Sequence, residues 1–69
     1  MRQEFVVDVY MVCNKTDKEL PMEKGVLVEV DHVNGKRMGC LNKIHAKLNE
    51  MFYTEDVRPK GFEWNNQKQ

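Results

Sequence analysis

The chain of 69 residues has only two cysteines, two prolines and one tryptophan, and its 11 Lys and Arg balance 11 Asp and Glu. Two cysteines allow a single intramolecular disulfide, which excludes a disulfide-stapled scaffold and favours a reducing compartment. The longest apolar stretches are interrupted by charge within a few residues, as Asp8 interrupts Phe5 to Val12, so no segment reads as a membrane span or a secretory leader. The expected setting is therefore cytoplasmic. Gly35 and Gly39 lack the spacing and the following lysine of a phosphate-binding loop, which argues against nucleotide chemistry.

What the chain does have is charge segregation. From His32 to Asn49 it carries Lys36, Arg37, Lys43 and Lys47 and no carboxylate, whereas residues 1–31 hold seven carboxylates against four Lys or Arg. A molecule with no net charge can thus present a basic surface and steer an acidic partner or a polyanion. The length suits one domain with a thin core, read as residues 1–64 followed by a polar tail over 65–69.

Local patterns predict an α+β fold. Phe5, Val7, Val9 and Met11 alternate with Val6, Asp8, Tyr10 and Val12, a strand signal reinforced by β-branching. Asn14 to Gly25 contains Asp17, Pro21 and Gly25 and reads as the longest internal loop. Val26, Val28 and Val30 then alternate with Glu29 and Asp31 in a second strand that runs to Val33. Asn34-Gly35 suits a tight hairpin, with a short return strand at Lys36-Arg37-Met38. Leu41, Ile44, Leu48, Met51 and Phe52 recur at helical spacing. Val57-Arg58 and Phe62-Trp64 read as short edge pieces limited by Pro59 and Gly61. The expected architecture is a small antiparallel sheet of three or four strands with one packed helix, in the order ββ(β)αβ. One helix covers one sheet face, so the other face needs the long loop, a partner or a symmetric homodimer to cover it.

The run Val33 to Leu41, followed by Ile44, Ala46 and Leu48, resembles the strand, glycine and helix portion of HIRAN-type domains. That resemblance implies a small β-rich fold that binds DNA ends.

No cluster in the sequence amounts to catalytic machinery. Cys13, Cys40, His32 and His45 could in principle ligate zinc, but they are isolated from one another rather than paired at ligand spacing, and the thiols read as packing groups. Glu29 and Asp31 share a strand face as ordinary polar alternation dictates, with no third group to make a hydrolase. No metal, cofactor or enzymatic activity is expected. The leading reading is a noncatalytic regulatory protein that binds a partner with an acidic surface, with inhibition by steric cover and an adaptor role both open. The contact residues expected are Lys36, Arg37, Lys43, Lys47, Tyr53 and Trp64. The alternative is a module for single-stranded or duplex nucleic acid, in which the same cations grip phosphates and Tyr53 or Trp64 stacks on bases.

Overall fold

The computed structural model describes residues 2–31 and 37–65, with the backbone alone for residues 37–40. The chain forms β1 (Arg2–Cys13), β2 (Glu19–Asp31), α1 (Arg37–Phe52) and β3 (Val57–Trp64). The three strands make one antiparallel sheet in the order β2-β1-β3, and α1 packs on one face of it, touching both outer strands. The expected α+β class, with a ββαβ order, is what the chain adopts. Its extents of 38 × 27 × 16 Å are those of a single sheet about a dozen residues long with one layer of helix.

Alternation along β1 decides the layers. Val7, Val9 and Met11 point toward the helix and are buried, joined by Val28 and Val30 of β2 and by Ile44 and Leu48 of α1. Phe5, Leu20, Val26, Phe52, Val57, Phe62 and Trp64 close the margins of this core. The helix has no carboxylate in its first turn and no cation in its last, so its dipole is not complemented by charge at either end. Its position rests instead on Ile44 and Leu48, which are 0 % and 1 % exposed. Met51, expected in the buried stripe, is instead exposed, because Phe52 takes the inward position at the end of the helix.

Three expectations are corrected. Glu19 to Gly25 belongs to β2, and the connection between β1 and β2 shrinks to Asn14–Lys18. The chain-breaking residues are absorbed as bulges: the register slips once where Lys24 and Gly25 lie opposite Asp8, and again where Pro21 and Met22 lie opposite Tyr10. Gly25 takes φ +66°, a left-handed conformation that glycine adopts without strain, and its amide donates to Asp8 Oδ1 at 3.0 Å. Arg37 and Met38 begin the helix rather than forming a return strand, so α1 starts four residues before Leu41. Both are good helix formers, and three residues are too few to hold a strand against that preference. The Asn34-Gly35 turn lies outside the described residues. Finally, β3 is continuous from Val57 to Trp64, with Pro59 and Gly61 tolerated because one extra residue, Lys60, bulges between the pairs Tyr10–Gly61 and Met11–Pro59.

Replacing Leu48 with Ala is expected to cost about 2–5 kcal/mol, whereas Leu27→Ala, at a position 54 % exposed on the opposite side of the sheet, stays within about 0.5 kcal/mol. Urea unfolding monitored by circular dichroism checks both.

Candidate functional site

The outward face of α1 follows from the helical period. With Ile44 and Leu48 turned inward, Lys43 and Lys47 lie one turn apart on the exposed side, and Met51 continues the same row another turn on. Tyr53 follows the helix, its amide donating to the Asn49 carbonyl at 2.9 Å and its side chain 57 % exposed. Lys47 Nζ lies 3.8 Å from Glu50, an exposed pair. Lys43 has no ion-pair partner among the described residues. Beside this row a cleft of about 280 Å³ opens between α1 and the end of β2, with Lys43 and Lys47 on one wall and Arg2, Glu29 and Asp31 on the other. Arg2 is held there by Glu29 at 3.1 Å and Asp31 at 3.9 Å.

The remaining expected contact residues are placed differently. Lys36 lies outside the described residues, and Arg37 occupies the first position of α1. Arg37 and Tyr53 stand at the two ends of the helix, about 24 Å apart at 1.5 Å per residue, so the expected contact residues are spread along α1, with Lys43, Lys47 and Tyr53 lining a ridge. Trp64 is half-buried against the core, its ring 5.5 Å from those of both Phe5 and Phe62. His45 meets the edge of the same aromatic group, 4.8 Å from Phe62. This partly exposed cluster and the exposed, salt-bridged basic residues make a surface of the kind that contacts another protein and is suited to an acidic partner surface.

A polar network ties the far end of the molecule together and was not foreseen from the sequence. Asn14 Nδ2 donates to the carbonyls of Thr54 at 2.9 Å and Glu55 at 3.0 Å, and Asn14 Oδ1 accepts from Arg58 at 3.2 Å. Arg58 also reaches Asp17 at 2.8 Å, and Asp17 sits at φ 60° in the turn. Thr54 Oγ1 accepts from the amides of Asp56 and Val57, which closes the turn into β3. The Cys13 thiol nearby is held below its ordinary pKa by the Thr16 hydroxyl first, then by the amides of Lys15 and Thr16.

The open sheet face carries its own chemistry. Tyr10 donates its hydroxyl to Glu63 Oε1 at 2.7 Å, and its pKa is raised by that hydrogen bond first, then by desolvation and by the charges of Glu63, Asp8 and Glu19. Among the described residues no three His, Cys, Asp or Glu side chains are grouped to hold a metal, and no helix is long and apolar enough to cross a membrane. Comparison of the chain with known protein families, curated proteins and solved structures finds no match, HIRAN-type domains included.

Two outcomes follow from these contacts. Asn14→Ala removes hydrogen bonds to two exposed carbonyls and to Arg58, which keeps Asp17, and is expected to cost about 0.5–1.5 kcal/mol in denaturant unfolding. Glu63→Gln removes the charged acceptor, so the Tyr10 phenolate should form at lower pH, read by ultraviolet absorbance in a Tyr53→Phe background. The sign for stability follows: because the folded state holds the Tyr10 proton more tightly, this contribution is complete below the unfolded tyrosine pKa and is lost as pH rises through the folded one.

Proposed function

We propose that this chain is a small noncatalytic regulatory protein of the cytoplasm that binds an acidic surface on a partner protein and inhibits that partner by steric cover. The observation that carries the reading is the exposed row Lys43, Lys47 and Met51 on α1, with Tyr53 at its end. Two cations one helical turn apart select carboxylates, while a methionine and a tyrosine next to them supply adaptable apolar area. The row is held on a helix fixed by core packing, so its geometry exists before the partner arrives and little ordering cost falls on binding.

Nucleic acid is the competing ligand, since the same lysines could neutralise phosphates. Half-burial of Trp64 in the core leaves Tyr53 as the main candidate for base stacking, which favours the protein reading. The deciding experiment isolates partners by affinity purification, reconstitutes binding with the purified partner, and compares it by fluorescence anisotropy with DNA and RNA at matched salt. A specific, saturable protein complex is expected, weakened about tenfold or more by Lys43→Glu with Lys47→Glu, with the loss shrinking as salt rises. Failure of the folded protein to form any such complex, or tighter saturable binding to DNA or RNA, overturns the reading.

A further inference from the structure

The face of the sheet opposite α1 is open along most of its length among the described residues, with Val12 alone buried on it, at 3 % exposed. Register assigns its side chains: Arg2, Glu4, Val6, Asp8, Tyr10 and Val12 from β1, with Asp31, Glu29, Leu27 and Glu19 beside them on β2 and Glu63 and Arg58 on β3. Val6 and Leu27 are directly opposite each other, 43 % and 54 % exposed, and Tyr10 continues the apolar strip along β1 at 39 %. Six carboxylates surround this strip: Glu4, Asp8, Glu19, Glu29, Asp31 and Glu63. Arg2 is engaged with Glu29 and Asp31, Arg58 with Asp17, and Lys60 with Glu19 at 3.6 Å, whereas Lys24, which the bulge sets opposite Asp8, has no ion pair among the described residues. Glu4, Asp8 and Glu63 have no cation within ion-pair distance among the described residues.

We propose that this open face docks a basic amphipathic helix of a second protein partner, its apolar stripe on Val6, Leu27 and Tyr10 and its lysines or arginines against Glu4, Asp8 and Glu63. Charge complementarity selects the occupant. An acidic rim around an apolar centre repels an acidic or anionic-membrane partner and rewards a cationic one. It also disfavours a second copy of this chain stacked face to face, because an isologous contact sets this carboxylate-rich surface against itself. The apolar strip has helical proportions. Val6 and Tyr10 are four strand residues apart, about 13 Å, which matches two to three turns at 5.4 Å each. The sheet's other face is already covered in the same manner, by the stripe Ile44 and Leu48 of α1. Together with the basic ridge of α1, this makes the chain a bridge between two partners of opposite charge: the docking residues Val6, Leu27, Tyr10, Glu4, Asp8 and Glu63 are distinct from Lys43 and Lys47, while Arg2, Glu29 and Asp31 at the edge of β2 border both surfaces.

The test is an NMR titration of the full chain with three synthetic peptides of equal length: a Lys/Leu amphipathic helix, the same composition scrambled to abolish the stripe, and a Glu/Leu amphipathic helix. The expected result is saturable binding of the Lys/Leu helix alone, with shift changes centred on Val6, Leu27, Tyr10 and Glu63, and a loss of at least about tenfold in affinity for Glu4→Lys with Leu27→Ser. Both substitutions are at exposed positions, and an unchanged amide spectrum elsewhere verifies the fold. The Lys43→Glu, Lys47→Glu variant should bind this peptide at least as well as the parent, so failure of the ridge and failure of the open face are read separately. Absence of saturable binding, equal binding of the scrambled or acidic peptide, shifts centred on α1, or a dimer in sedimentation that protects Val6 and Leu27 overturns the proposal.

Discussion

Strand β1 is paired along both of its edges, and everything else in the molecule is placed by its two rows of side chains. Residues Val7, Val9 and Met11 supply the floor on which Ile44 and Leu48 rest, and α1 has no favourable terminal charge that would hold it there otherwise. The intervening residues Glu4, Val6, Asp8 and Tyr10 form the opposite surface. A slip of one residue in β1 would exchange the two rows, burying carboxylates under the helix and exposing the valines. Asp8 helps to prevent that slip, since its carboxylate accepts both the Gly25 amide from one neighbouring strand and the Asn65 side-chain amide from beyond the other.

The elements most legible in the sequence are those in which one residue type repeats at one period. Alternating valines in β1 and β2 and the Ile44–Leu48 spacing in α1 each specify a face without help from tertiary context. Legibility fails where a local breaker is overruled. Pro21 and Gly25 signal a loop by composition, yet pairing with β1 extends β2 through both of them, because a bulge leaves one residue unpaired and resumes the ladder beyond it. The same applies to Pro59 and Lys60 in β3. Of the candidate site, the exposure of Lys43 and Lys47 could be read from helical phase, whereas that of Tyr53, which follows the helix, could not. The half-burial of Trp64 could not, since it depends on Val7 being its cross-strand neighbour and on Phe5 and Phe62 lying alongside.

Charge segregation along the chain becomes charge segregation across the fold. Carboxylates contributed by β1, β2 and β3 gather on the open face, whereas Lys43 and Lys47, from the carboxylate-free stretch His32 to Asn49, lie on the helix, and the two sets meet only at the cleft by Glu29 and Asp31. With zero net charge the molecule has little long-range monopole, so association with either kind of partner is governed by orientation at distances within a Debye length, about 8–10 Å at ordinary ionic strength. Salt should then affect docking on either side without greatly changing how often molecules meet.

The bulges have a bearing on how this chain avoids polymerising through its backbone. Both outer strands are long for so small a protein, and among the described residues no further strand pairs with either outer edge, which leaves it open to an extended chain alongside. In β3, Pro59 removes a donor and Lys60 adds an irregularity with a charge, and in β2 Pro21 and Gly25 break the ladder over its first half. What is left unbroken is the segment Val26–Asp31, six residues in which Glu29 and Asp31 guard one end. A fibril nucleus built from the native state would have to form there, against those two charges, and loss of both would remove the last device that keeps the sheet at three strands.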